Sequence, residues 1–360
     1  MSRSRWSICL FCLIRRTTPR TLYQQFLPES EAPAALNSVH NLVELDTTTR
    51  FPRTYPELVT MSIREENSDE FQKTEVPYAL DRTGYAASGR LAFQHYLWKD
   101  VTGSLIHPDI LADLRTLPTV HAADGDVQLN VADVGTGTGA WALDVARLSG
   151  TQGLKFNVHG FDISDDQFPP RHLLPQNVQF SVSDALAPPP GALHGTFDIV
   201  HIAHFACVRA LGEDPSPAMK HAIALLKPGG WIQWDEWARD ETGKVAMVRL
   251  APSPRCDWAL DVSSKIFPRW LLDIAGHLSN NGFEDAARHD FEPRNDLLPG
   301  LTLMWYLTAD EVVRFGFEEP TKSMFLDALS AAYAETRDDS IRAMFKLCPS
   351  SVIGKKPAGV

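Results

Sequence analysis

The chain has 360 residues, of which 44% are hydrophobic and 22% charged, as in a globular protein with room for one α/β domain of about 250 residues and extensions. Its net charge of −11 argues against a nucleic-acid partner, because such partners are bound by basic patches. The five cysteines are scattered, which indicates reduced thiols and not a disulfide framework.

The first 28 residues hold five arginines, no acidic residue and an apolar run from Trp6 to Ile14. A transit peptide or short membrane anchor fits this pattern, but we favour a disordered extension or an upstream start, with Met61 opening the functional chain. Residues 29–75 are polar and dotted with prolines, so we expect a flexible extension over 1–75. No stretch is long enough to span a bilayer as a helix. We therefore expect a cytoplasmic protein without stable membrane insertion, with mitochondrial targeting by 1–28 as the alternative.

Helical patterns over 86–100 and 107–115 follow, in a front segment that we place at 76–120. An apolar strand over 129–134 comes next and runs directly into a glycine loop.

The glycine loop reads Asp133-Val-Gly-Thr-Gly-Thr-Gly139, and a helix over 139–149 follows it. The glycines Gly135, Gly137 and Gly139 would let a ligand approach the main chain closely. The Asp133 carboxylate would select a ligand that carries donors or positive charge. The same glycines also fit the dinucleotide fingerprint, so NAD and S-adenosylmethionine (SAM) both stay open at this point.

Two further strands, over 155–161 and 178–183, end near Asp162 and Asp184. In dinucleotide sites the acidic ribose ligand lies about 20 residues beyond the glycines. Asp162 comes 27 residues after Gly135 (162 − 135), which is long for NAD. Three strand ends with carboxylates suit SAM. The loop would lie beneath its amino-acid part, Asp162 would bind the ribose hydroxyls and Asp184 would bind the adenine amino group.

The rest of the chain continues the alternation of strands and helices, which implies a parallel sheet with helices on both faces. Further strands are predicted over 197–202, 229–235, 285–291 and 347–353. Further helices are predicted over 167–174, 213–226, 264–281 and 321–336. We place the core at 121–292, and a helical insertion with the final strand at 293–360.

The glycine loop, Asp162, Asp184 and Leu226-Lys-Pro-Gly-Gly230 occur in the order and approximate spacing of the class I SAM-dependent methyltransferases. The resemblance covers roughly residues 80–300. It implies an α/β fold: a doubly wound, mostly parallel, seven-stranded sheet with its last strand antiparallel. Helical additions at both ends of this Rossmann-like core would cover the carboxyl ends of the strands as a lid.

A second resemblance, to fungal methyltransferases of secondary metabolism, involves residues 78–91, Gln94-His-Tyr-Leu-Trp98, 106–110 and Gln233-Trp-Asp-Glu236. Those proteins often carry an arginine where this chain has Ala203. The resemblance implies methyl transfer to a small-molecule acceptor, with oxygen as the expected atom. A non-catalytic regulator of secondary metabolism is the alternative interpretation of the chain, and an NAD-dependent oxidoreductase is the third.

Histidines at the end of the fourth strand are the candidate catalytic groups, because that strand flanks the cofactor in this fold. His204 is the candidate base and His201 a main-chain cofactor contact or second base, while ordinary packing remains the alternative for each. His95, His107, Asp235 and Glu236 are rivals.

The remaining site predictions rest mainly on position within the motifs. Ile163, Ala185 and Tyr85 are expected at the cofactor. Trp98, Tyr96 and Trp237 are expected at a flat apolar acceptor, against core packing as the alternative. No Asp/Asn pair has metal-ligand spacing, so the reaction is expected to be metal-independent, and a homodimer is considered.

Overall fold

The computed structural model describes residues 80–81, 83–116, 127–150, 153–240 and 242–359. The extension predicted over 1–75 lies outside these residues. Among the residues described, no helix is both long and apolar enough to cross a membrane.

A sheet of seven strands forms the centre of the fold, and a two-stranded sheet accompanies it. The strands in chain order are β1 Val127–Val134, β2 Leu154–Asp162, β3 Val178–Val182, β4 Phe197–Ala203, β5 Leu226–Trp237, β6 Ala246–Val248, β7 Glu284–Asp290, β8 Met344–Lys346 and β9 Pro349–Lys355. The large sheet has the order β3-β2-β1-β4-β5-β9-β7, and β6 pairs with β8. Within the large sheet β9 runs antiparallel to both of its neighbours, β5 and β7, and the other strand pairs are parallel. The predicted doubly wound sheet with an antiparallel last strand is confirmed.

Helices cover both faces of the sheet and its carboxyl edge. In the described part of the chain they are α1 Tyr85–Thr102, α2 Pro108–Leu114, α3 Ala140–Arg147, α4 Ser216–Leu225, α5 Pro254–Ile266, α6 Ile274–Asn280, α7 Leu298–Gly316 and α8 Thr321–Arg337.

The central strands are buried on both faces, so they carry apolar side chains in both alternating positions. In β1, Leu129 and Val131 face one core with α2 and α3. Ala132 and Val134 face the opposite core with α4 and α6. Successive strand residues point to opposite faces, so a single strand supplies both cores. This burial makes the strand ends rigid supports for the groups that follow them.

A third core lies among the added helices. Leu97 of α1, Leu260 of α5, Trp305 of α7, Phe325 of α8 and Phe345 of β8 belong to one buried cluster. The helical additions therefore pack into a layer with its own apolar interior.

The helix predicted over 167–174 is wrong. Only a single 3₁₀ turn, Arg171–Leu173, forms there, because Pro169 and Pro170 remove backbone donors and fix φ. The helix predicted over 264–281 is two helices: Phe267 is extended ahead of Pro268, which ends α5, and α6 starts at Ile274. Helix α7 was not predicted.

Candidate functional site

The loop between β1 and α3 is held in one shape by glycine conformations and by bonds to β2. Gly135, Gly137 and Gly139 have φ angles of 75°, 52° and 71°, a region that residues with a side chain rarely adopt. The N–H groups of Gly135 and Thr136 donate to the carbonyl of Phe161 at 2.8 and 2.9 Å. The Thr136 hydroxyl donates to Asp133 Oδ2 at 2.6 Å. The loop is thus preorganised before any ligand binds.

Asp162, at the end of β2, faces this loop directly. Its Oδ2 accepts from the Gly137 N–H at 2.8 Å, and its Oδ1 accepts from the Ser164 N–H at 3.3 Å. Burial raises the pKa of this carboxyl although the two N–H donors oppose the shift. Asp184 at the end of β3 is exposed, and its Oδ1 accepts from the Leu186 N–H at 2.8 Å.

A cavity of about 1470 Å³, counted to its open mouth, lies above the loop; we call it the glycine-loop cavity. It brings together most of the predicted site residues. Its lining includes Asp133, Gly135, Gly137, Asp162, Ile163, Asp184, Ala185, His201, His204 and Trp98. Gly139 serves instead as the N-cap of α3.

A second cavity, of about 1060 Å³, lies between the added helices and the end of β5; we call it the apolar cavity. Its walls are mostly aromatic and aliphatic side chains of α5, α7 and α8, with Trp237 of β5. Three residues line both cavities: Leu91, Gln94 and His204. The two cavities therefore meet at this group.

His204 stands at the junction in a left-handed conformation, with φ 59° and ψ 36°. Its backbone N–H donates to the Asp235 carbonyl at 2.9 Å. The Trp98 ring meets the imidazole edge-on with centroids 5.1 Å apart, and the Trp237 ring stacks on it at 5.7 Å. Burial lowers the pKa of His204 to about 3, so the ring is neutral at physiological pH. Its Nδ1 is buried without a hydrogen-bond partner among the described residues.

His201, three residues earlier, has the opposite electrostatic setting. Its Nδ1 lies 2.7 Å from Asp133 Oδ1 and its Nε2 lies 3.3 Å from Asp235 Oδ2. Burial would lower its pKa, but the two carboxylates raise it to about 9. The ring also stacks on Trp141 at 3.8 Å, a contact that favours a cation. The predicted role as a base is corrected, because both ring nitrogens of a protonated His201 are engaged.

Replacing His201 by Gln should give a stability difference that depends on pH. The folded-state pKa of about 9 lies above the ordinary 6.5. The stabilisation is therefore complete below pH 6.5 and is lost as the pH rises through about 9. We expect the gap in unfolding free energy between wild type and His201→Gln to shrink by roughly 3 kcal/mol from pH 6 to 9 in urea titrations.

His159→Gln is the matched control. Burial lowers the pKa of His159 to about 4, so this residue is neutral in both the folded and unfolded states above pH 6.5. Its stability gap should change by less than about 1 kcal/mol between pH 6 and 9, and in the opposite direction, because only the unfolded state binds a proton near pH 6. A flat gap for His201→Gln would contradict the charged imidazole.

Two predicted contacts are corrected by their positions on α1. Tyr85 is 94% exposed and Tyr96 59% exposed, and neither lines a cavity. The buried face of this helix carries Arg90, Gln94 and Trp98. At about 100° per residue, both tyrosines point to the side opposite Gln94. Trp98 and Trp237, in contrast, line the glycine-loop and apolar cavities respectively.

Several lining residues were not singled out from the sequence. Arg90 pairs with Glu311 of α7 at 2.9 Å, and both are buried. The sequence did contain a signal: Arg90, Gln94 and Trp98 follow one another at intervals of four, which places them on one face of a helix. Glu236, which sequence reasoning held as a rival base, is buried beside the apolar cavity, and burial raises its pKa to about 8.

One group of side chains has the composition of a metal site. His107, Asp109 and His289 place their potential ligand atoms within 4.8 Å of one another. None of the three lines either cavity. The metal-independent reaction stays a prediction.

Comparison with known proteins gives a family. The sequence model of the methyltransferase domain family matches residues 106–286, about half of the chain. The N-methyltransferase tcpN of Claviceps purpurea is 31% identical over 223 residues, which are 56% of this chain and 72% of tcpN. The methyltransferase grgD of a Penicillium species is 37% identical over 117 residues, 31% of this chain and only 40% of grgD.

Among solved structures, phosphoethanolamine N-methyltransferase 2 of Haemonchus contortus with SAM aligns at 18% identity and a TM-score of 0.40, covering 77% of this chain and 59% of that one. The assignment rests on the domain match and on tcpN. The chain belongs to the methyltransferase domain family, as a class I methyltransferase that depends on SAM.

Proposed function

We propose that this protein methylates a nitrogen atom of an apolar small molecule in fungal secondary metabolism. The observation that carries the proposal is the meeting of two cavities at His204, one built around the glycine loop and one built from apolar side chains. Each cavity suits one of the two reactants.

The glycine-loop cavity fits SAM by its shape and donors. A Cβ at Gly135 would lie 2.5 Å from the Phe205 ring, so the loop keeps this shape against Phe205 only because the side chain is missing. Its backbone would hold the amino-acid part, Asp162 the ribose hydroxyls and Asp184 the adenine amino group. Ile163 and Ala185 would contact the adenine edges.

SAM supplies a methyl group already activated on a sulfonium. The protein therefore has to position the acceptor and to exclude water. The apolar cavity suits both tasks. Its aromatic and aliphatic walls disfavour water, and they favour an acceptor with little charge. Trp98 and Trp237 hold His204 between them at the entrance. The neutral imidazole of His204 would accept the proton that the acceptor loses.

Nitrogen is proposed over oxygen because of the relatives. The names of tcpN and of sirN from Leptosphaeria maculans, which is 34% identical over 218 residues, both state N-methyltransferase. No side chain supported the expectation of oxygen, so the proposal follows the names of these relatives.

The test is transfer of a deuterated methyl group. Purified protein is incubated with methyl-deuterated SAM and a metabolite extract of its host, and labelled products are fragmented in a mass spectrometer. We expect the label on nitrogen of a weakly polar metabolite. A label on oxygen would refute the nitrogen assignment, and SAM binding without any labelled product would refute the proposed function.

Asp162→Asn should weaken SAM binding about tenfold in calorimetry. The amide can still accept from Gly137, but hydrogen bonds to a charged group are worth roughly 1 kcal/mol more than neutral ones. Asp166→Asn is the control, because Asp166 is exposed in the same segment and lines neither cavity. Equal affinities of the two variants would remove Asp162 from the ribose site.

A further inference from the structure

His204 at the junction and Arg239 farther into the apolar cavity each carry a buried ring or guanidinium nitrogen without a hydrogen-bond partner among the residues described. Arg90 is paired with Glu311 at 2.9 Å. The Glu236 Oε1 accepts from the Ala206 N–H at 3.1 Å and from Trp234 Nε1 at 3.2 Å. The Nε–H of Arg239, in contrast, is buried without a hydrogen-bond partner among the residues described.

The other contacts of Arg239 fix its side chain in place. A terminal nitrogen, Nη1, donates to the Gly243 carbonyl at 3.0 Å. The guanidinium carbon lies 4.2 Å from the centre of the Phe267 ring, a cation–π contact. A guanidinium anchored at two points presents its Nε–H in a defined direction.

Neighbouring acids do not satisfy this donor. Asp240 is exposed, and its Oδ1 accepts from the N–H groups of Thr242 and Lys244. Burial raises the pKa of Glu236 to about 8, which makes it largely uncharged at neutral pH. Burial also lowers the pKa of Arg239, to about 10, so the guanidinium remains charged. This end of a mostly apolar cavity thus offers a charged donor.

Buried donors in proteins are nearly always hydrogen-bonded, and leaving a charged one unpaired is especially unfavourable. We infer that the methyl acceptor is an apolar molecule carrying a carbonyl-type oxygen, and that Arg239 binds this oxygen. The inference rests on the proposed function for the identity of the cavity. It adds a specificity residue and a chemical requirement for the acceptor: oxygen at one end, apolar surface over the rest.

The test compares naphthalene probes that differ only in one substituent. Fluorescent phenylnaphthylamine is displaced from the untagged protein by acetylnaphthalene, naphthoate, ethylnaphthalene or naphthylmethylammonium. We expect the ketone or the carboxylate to bind about tenfold tighter than the ethyl compound, and the ammonium to bind weakest. Comparing the affinities of the ketone and the carboxylate shows whether Arg239 prefers a neutral or a charged oxygen.

Arg239→Met should reduce the affinity for the oxygen-bearing probes to that of ethylnaphthalene. Arg314→Met is the matched control, since Arg314 is an exposed residue of α7 that lines neither cavity. If Arg239→Met does not fold, the probe series on the wild-type protein still decides. Equal binding of ketone, carboxylate and ethyl probes would overturn the proposal.

The probes are read without turnover, so the two proposals fail separately. If labelled methyl transfer occurs but the oxygen-bearing probes bind no tighter than ethylnaphthalene, only the role of Arg239 is overturned. If the oxygen-bearing probes bind tighter than ethylnaphthalene but no methyl transfer occurs, only the proposed function is overturned.

Discussion

Gly135→Ala is expected to weaken SAM binding by about a hundredfold or more, and methyl transfer with it. The residue has a φ of 75°, which alanine adopts only at a cost. An added Cβ would also lie 2.5 Å from Phe205 Cε2 and 3.0 Å from Cζ. Phe205 is buried and packs edge-on against Trp234 with centroids 5.9 Å apart, so it has little room to move. The loop has to shift instead.

Gly150→Ala separates these two effects. Gly150 has a φ of 82°, but a Cβ there would meet no atom within 4 Å. Both substitutions therefore carry the conformational cost, and only the one in the loop adds a clash. Calorimetry with SAM should find the affinity of Gly150→Ala close to that of the wild type. Equal loss in both variants would mean that strain alone governs the site.

His204→Asn is expected to slow methyl transfer by about a hundredfold while changing SAM affinity less than about threefold. Asparagine tolerates the left-handed conformation that His204 adopts, so the backbone is preserved and only the imidazole is lost. The neutral ring at the junction of the cavities is the group placed to take the proton. Single-turnover rates with labelled SAM, together with calorimetry, separate the two quantities.

His172→Asn is the control for this substitution, because His172 is exposed and lines neither cavity. It should retain full rate and affinity. A fully active His204→Asn would remove His204 as the base. Loss of SAM affinity in His204→Asn would assign the residue to cofactor binding instead.

The residues of the predicted cofactor site could be grouped from the sequence because their signals are local. A glycine run can be recognised from consecutive residues, and the carboxyl ends of parallel strands meet at one edge of the sheet. Asp162 and Asp184, with Ile163 and Ala185 after them, line the same cavity as the loop, and their contacts with SAM stay predictions. The proline-containing stretches, in contrast, misled the helix predictions.

The histidines show what local signals cannot provide. His201 and His204 stand three residues apart at the end of one strand, yet their pKa values move to about 9 and about 3. The difference comes from Asp133 and Asp235, which are far apart in the chain and whose carboxylates both lie at the ring nitrogens of His201. Charge state thus depends on neighbours that only folding brings together.

The apolar cavity was likewise beyond sequence reasoning. Its walls come from α1, the end of β5, and helices α5, α7 and α8; Arg90 of α1 and Leu329 of α8 are 239 residues apart (329 − 90). Tyr85 and Tyr96 were chosen as pocket residues from their motif, but the direction of a side chain on α1 depends on which face packs inward. That face was set by the partner helices.

The position of β9 in the sheet has a consequence for synthesis. Residues 349–355 lie between β5 and β7 and pair with both, although these strands come much earlier in the chain. The ribosome adds roughly 5–20 residues per second. One edge of β5 therefore stays unpaired until more than a hundred further residues, ending with β9, have been synthesised. An open strand edge is a template for pairing with other chains. The nascent protein is therefore most exposed to aggregation during this interval, and chaperone protection matters most there.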